Sequence, residues 1–233
     1  MKKLFTVLIL SVTLSSCDVL SKLPTGIPGG FTEAEAGQGI KEALSQGLVK
    51  AVLQLNREDG FFRDALYKVL LPPDAKKIEN TLRSLGMNKM VDNAILAINR
   101  AAEDAAGFAK PIFVDAIKSM TISDAIGLVR NGDTSATHFF RVKTTDKLIA
   151  AFIPVIRSSL DKVNATKYYG DIVNTYNNIP TTFKKINPDL PSFVTGRATE
   201  ALFDLVAKEE INIRQNIAAR STEILRKVFG SRY

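Results

Sequence analysis

Residues 88–106, NKMVDNAILAINRAAEDAA, place Met90, Val91, Ala94, Ile95, Ile98, Ala101 and Ala102 at the three- and four-residue spacing of one helix face. The same period recurs through most of the chain after residue 32, and it restricts the fold to helix packed on helix. Ile40, Ala43, Leu44, Leu48, Ala51, Val52 and Leu55 make a second such stripe. No run of alternating residues and no hairpin dipeptide competes with this pattern. The expected class is all-α, a single multi-helix, bundle-like domain over residues 32–233.

The breaks between helices are written in caps, glycines and prolines. Thr32-Glu33-Ala34-Glu35 is a capping box that starts the first helix, and Asp59-Gly60 closes it. Phe61, Phe62, Leu66, Tyr67, Val69 and Leu70 read as a short apolar turn of helix or a buried loop. Pro72-Pro73 opens another helix, with Ile78, Leu82 and Leu85 inward and Gly86 at its end. Gly107 and Pro111 interrupt before Ile112–Met120, Thr121–Asp124 offers a second cap, and Asn131-Gly132 supplies a stop. Residues 145–163 are apolar on most sides and predict a central helix, bent near Ala150 by Pro154. Asn164 or Thr166 caps the next helix, which carries Tyr168, Tyr169 and Val173. Residues 180–191 hold three prolines and read as a surface loop. A long helix over 191–215 follows, then a last one from Ser221-Thr222-Glu223 to Gly230.

The N-terminus has a different grammar. Lys2 and Lys3 precede an eleven-residue apolar run, Leu4–Leu14, then Ser15, Ser16 and Cys17. At about 1.5 Å per residue that run spans roughly half a bilayer core, so it reads as a secretory signal rather than a membrane span. Leu14-Ser15-Ser16-Cys17 resembles the bacterial lipobox, which implies cleavage between Ser16 and Cys17 and acylation of the chain's single cysteine. The expected organisation is a signal peptide at 1–16, a tether at 17–31 starting from lipidated Cys17, and then the helical domain. Pro24, Gly26, Pro28, Gly29 and Gly30 make the tether a flexible linker whose span is on the order of 20 Å. Two or three acyl chains hold a protein firmly at a membrane surface. The expected location is therefore the bacterial cell envelope, inner or outer membrane, facing the periplasm. Asp18 follows the cysteine and leaves the choice of membrane open.

Without Lys2 and Lys3, 29 basic residues face 24 acidic ones, and the excess lies in the second half. Lys184, Lys185, Arg214, Arg220, Arg226, Lys227 and Arg232 are the late members. A basic face can meet anionic headgroups or an acidic polymer, although a solvated surface explains the excess as well. The expected partners are the membrane, through the anchor, and an envelope protein or anionic surface. Nucleic acid is not expected of an exported chain with no aromatic–basic motif.

Chemistry is sparse. One cysteine excludes an internal disulfide, and one histidine leaves no Cys/His metal cage, so neither metal nor cofactor is expected. Any nucleophilic device would run through His138, which sits beside Phe139 and Phe140 on an expected helix. Glu209 and Glu210 read as a solvated helix end, with Arg214 placed for a surface ion pair. The polar set that stands out is Asn99, Arg100, Glu103, Lys110 and Asp115, around the junction at Gly107. It reads as a binding cluster or as pairing between helices.

Asn99-Arg100-Ala101-Ala102-Glu103, then Lys110–Lys118, Tyr168-Tyr169, Asn187-Pro188-Asp189-Leu190 and Arg226–Gly230 together resemble the DUF4197 family of bacterial exported proteins and lipoproteins. The resemblance runs over residues 38–230. It implies export and a helical fold, and it carries no catalytic residue to this chain. The leading expectation for function is non-catalytic binding at the membrane. The alternatives are a carrier holding an apolar ligand or lipid between helices, or a hydrolase using carboxylates or His138.

Overall fold

Thr32 Oγ1 accepts the N–H of Glu35 at 3.2 Å while the Glu35 carboxylate accepts the N–H of Thr32 at 2.8 Å, and from this reciprocal cap α1 (Glu33–Asn56) begins. The computed structural model describes residues 32–130, 132–178, 180 and 184–230. Ser16, Cys17, the signal segment 1–16 and the tether 17–31 lie outside the described residues, as do Asn131 and residues 231–233. A 3₁₀ turn at Pro73–Ala75 leads into α2 (Lys76–Ser84), followed by α3 (Asn88–Ala106), α4 (Ala109–Ser119) and α5 (Ile122–Arg130). The second half holds α6 (Ser135–Lys162), α7 (Ala165–Asn177), α8 (Leu190–Gln215) and α9 (Glu223–Gly230), with a 3₁₀ turn at Ile217–Ala219. All regular structure among the described residues is helical, in one domain.

The local signals act where expected. Thr121 and Asp124 cap α5 reciprocally at 3.1 and 3.0 Å. Gly86, at φ +80°, follows α2, and Asp189 accepts the Ser192 N–H to start α8, with Pro191 in its first turn. Residues 61–70 form a loop that is buried at Phe61, Tyr67 and Val69, whereas Leu66 and Leu70 lie exposed. Within 180–191, Ile186 and Leu190 are also buried. The Asn177 side chain holds Ile186 by both its N–H and its C=O, each at 2.8 Å.

Packing centres on α6 and α8, which lie against each other. Around them α6 also meets α3, α4 and α7, and α1 meets α3, α4, α5, α8 and α9. Phe113 of α4 stands edge-on to Phe140 of α6 and to Phe203 of α8, with ring centroids 6.1 and 6.0 Å apart. Leu148, Phe152, Ile156 and Leu160 continue the buried stripe of α6. Each such side chain contributes about 1.5–3 kcal/mol by leaving water. Pro154 lies exposed on the opposite side, and α6 runs through it unbroken. The same helix reaches back to Ser135 and takes in His138, for a reason that lies in α8.

Candidate functional site

Asn99, Arg100 and Glu103 share one stretch of α3, and the fold uses them to hold the segment between α1 and α2. The Asn99 amide is fully enclosed. It accepts the Val69 N–H at 2.9 Å and donates to the carbonyls of Val69 and Ile95 at 2.8 and 2.7 Å, so both ends of the amide are satisfied. Glu103 is 3% exposed, and its Oε1 accepts the N–H groups of Phe61 and Phe62 at 3.0 and 3.1 Å. Its Oε2 takes Arg100 Nη1 at 2.6 Å, and Arg100 reaches on to Asp59 at 2.8 Å. Those hydrogen bonds, to Glu103 first and then to Asp59, keep the guanidinium charged. Lys110 and Asp115 lie exposed on α4 and make no hydrogen bond or ion pair with these three. The structure therefore brings three of the five residues together, as a clamp whose polar groups serve one another.

The clamp matters for what it leaves on the neighbouring stripe of α3. There, Met90, Ala94, Ala97 and Asp104 line a cleft of about 730 Å³. Its facing wall is Leu71, Ala75, Ile78 and Leu82, and it is closed off by the end of α6 and by Val163, Ala165, Tyr168 and Tyr169. The alanines make the space, because a helix without bulk on one stripe leaves a slot between itself and its neighbours. From Met90 to Asp104 the lining follows α3 for about 21 Å at 1.5 Å per residue. The volume falls in the range that holds one drug-sized ligand. Apolar side chains crowd the rim, where Met90, Val163 and Tyr168 are about half exposed. Charged lining residues are confined to one end: Arg100, Asp104 and Lys162, beside Ser159. Burial, and then Asp74, pushes the Tyr169 hydroxyl up to about 12, so this wall of the cleft is neutral at any ordinary pH.

Two further polar networks lie away from the cleft. Glu210 is not a solvated helix end. It is buried, and its carboxylate accepts the N–H groups of Ala136 and Thr137 at 3.1 and 2.8 Å and the Thr137 hydroxyl at 2.7 Å. It thereby caps α6 from α8, and Arg214 supports it at 2.8 Å. The Arg220 side chain turns inward too, donating to the carbonyls of Ile213 and Arg214 at the end of α8. The second network joins Tyr67, Asp204 and Lys208, where Tyr67 Oη donates to Asp204 at 2.7 Å and Lys208 bonds both. Burial raises the Asp204 carboxyl, but hydrogen bonds from Lys208 and Tyr67 outweigh it and the group ends below its usual value. His138 is exposed on the first turn of α6 and is not hydrogen-bonded to Glu103. Among the described residues no cluster of three His, Cys, Asp or Glu side chains is placed to hold a metal. No described helix is long and apolar enough to cross a membrane.

Sequence reasoning reached the clamp because its members interrupt an apolar stripe. It did not reach the cleft, since the walls are drawn from segments spread between Leu71 and Leu190 and the signal is an absence of bulk at Ala94 and Ala97. The family described as "Protein of unknown function (DUF4197)" matches residues 30–230. No curated protein and no solved structure matches the chain.

Proposed function

The chain belongs to the DUF4197 family, and with that family's function open we propose that this protein carries an apolar ligand in the α2–α3–α7 cleft while anchored to an envelope membrane through Cys17. The observation that carries the proposal is the elongated slot of about 730 Å³, walled by Leu71, Ile78, Leu82, Ala94 and Ala97. An open apolar slot forfeits van der Waals contact on both walls, which a ligand filling it restores. The anchor is supported by the Leu14-Ser15-Ser16-Cys17 sequence alone. Anchoring and carriage fit each other. An apolar molecule leaving a bilayer has little water to cross if the cleft is tethered near the lipid, and the apolar rim at Met90, Val163 and Tyr168 suits that transfer.

The test is native mass spectrometry of the mature, full-length protein purified in detergent, with apolar molecules extracted from the same membranes. A stoichiometric adduct on the wild type is expected. Ala97→Phe, which fills the slot from the α3 side, should remove it while leaving the thermal midpoint and the helical circular dichroism unchanged. An adduct that survives both Ala97→Phe and Ala94→Phe would place the ligand elsewhere and defeat the reading.

A further inference from the structure

The cleft lining carries no charge along most of its length and is charged only at one end. That asymmetry is what an amphiphile has and a plain hydrocarbon lacks. Three charged side chains line it, and all three sit at that end, on the last turns of α3 and α6. They are not equivalent. The Arg100 guanidinium is engaged by Glu103 at 2.6 Å and Asp59 at 2.8 Å, so its charge is already answered. Asp104 receives only the Ser159 hydroxyl, at 3.1 Å, and no cation pairs with it among the described residues. The Lys162 side chain makes no hydrogen bond or ion pair among the described residues, with Asp104 or with any other.

An anion and a cation thus border the same mouth without neutralising each other. Both residues are exposed at that end, and together they are complementary to a ligand carrying both signs in the opposite order. We infer that the ligand is a single-chain zwitterionic lipid, with its acyl chain along Ala97, Ala94 and Met90. Its phosphate meets Lys162, and its ammonium meets Asp104, which already accepts the Ser159 hydroxyl. The inference rests on the carrier reading above and adds the ligand's class to it. A fatty acid would satisfy Lys162 and leave its carboxylate facing Asp104. An acyl amine would do the reverse, and a neutral glyceride would use neither charge. The volume and the single slot suit one chain, and the half-exposed Phe108, close to Pro154 and Val155 on the outer side of Lys162 and Asp104, extends the apolar border past the head.

The experiment titrates the mature, full-length protein in detergent with four lipids of one chain length, read by native mass spectrometry: lysophosphatidylethanolamine, the free fatty acid, the acyl amine and the monoacylglycerol. Lysophosphatidylethanolamine should bind tightest. Lys162→Met and Asp104→Asn should each weaken it about tenfold, the scale of one charge-assisted contact at a half-wet site, while changing monoacylglycerol binding less than twofold. Both substitutions are at exposed positions and should leave the thermal midpoint unchanged. If monoacylglycerol binds as tightly as the zwitterion, or if the fatty acid does and only Lys162→Met matters, the zwitterion is wrong and the carrier stands. If none of the four binds, the carrier reading fails and this inference with it.

Discussion

Glu210 of α8 accepts the backbone N–H of Thr137 at 2.8 Å and the Thr137 hydroxyl at 2.7 Å, closing the start of a helix to which it does not belong. Thr134, the residue before α6, sits at φ +66° and offers no side-chain cap of its own. The orphan donors of the first turn are therefore answered from 73 residues away. Glu210→Ala strips three donors of their acceptor and leaves Arg214, whose side chain is 12% exposed, without its carboxylate. The expected loss is about 3 kcal/mol, measured by chemical denaturation. Glu210→Gln keeps an acceptor and should cost roughly 1 kcal/mol. Equal losses for the two variants would show that charge, not capping, is what α6 requires.

Glu103 has the same duty toward the loop after α1. Its oxygens hold Phe61 and Phe62 from one side and Arg100 from the other. Glu103→Ala should cost about 3 kcal/mol and expose residues 57–72 to proteolysis, whereas Arg100→Met, on a one-third exposed side chain, should cost about 1 kcal/mol. Chemical denaturation and limited proteolysis check both variants, and equal losses would mean that Glu103 serves Arg100 rather than the loop amides.

How far these features could be read in advance depends on the sequence distance over which each is built. The Thr32–Glu35 and Thr121–Asp124 caps are three residues wide, and both appear as expected. Helix α3 keeps the limits its alanine-rich stripe implies, 88–106. The start of α6 at Ser135 has no local signal, because its cap is Glu210, which local sequence shows only as an acid four residues before an arginine. Asn99 and Glu103 were visible as polar residues on an apolar face, but their partners are backbone groups of the 61–69 loop, and backbone groups leave no mark in composition. Lys110 and Asp115 are near these residues in sequence, yet both lie exposed beyond the helix break at Gly107.

Gly60 is required by contact, not by torsion. A methyl group there would lie 2.5 Å from the carbonyl oxygens of Gln54 and Leu55, at the end of α1. Backbone cannot swing aside as a long side chain can, so Gly60→Ala should cost about 2–3 kcal/mol. Gly86 is the reverse case, with φ +80° and nothing near its missing side chain, and Gly86→Ala should cost about 1 kcal/mol. Two denaturation curves decide it. Comparable losses at both sites would mean that the turn at Asp59-Gly60 yields more easily than its geometry indicates.

Cys17 carries the whole case for the anchor, because no described helix can cross a bilayer. The intact mass of the protein from native membranes should correspond to a chain beginning at Cys17 and bearing two or three acyl groups. Cys17→Ala should abolish both the acyl mass and the cut before residue 17. A wild-type mass that fits an unmodified chain would remove the anchor and leave the cleft to be explained alone.

Tyr169 ties the cleft wall to pH. Its hydroxyl is held mainly by burial, and then by Asp74, at about 12 against an ordinary value of 10. The folded state thus prefers the protonated phenol more than the unfolded chain does. For a group whose folded value is raised, the stabilisation is complete below the unfolded value and is lost as pH climbs through the folded one. Stability should hold up to about pH 10 and then fall by roughly 2 kcal/mol by pH 12, as the unfolded chain ionises its tyrosine and the native one resists. Tyr169→Phe has no proton to lose, so its stability should decline less over the same interval. It gives up the 3.4 Å hydrogen bond to the Asn187 carbonyl, and should therefore start slightly lower at neutral pH. Curves for the two proteins that stay parallel from pH 9 to 12 would mean that the phenol is as wet in the native state as in the unfolded one.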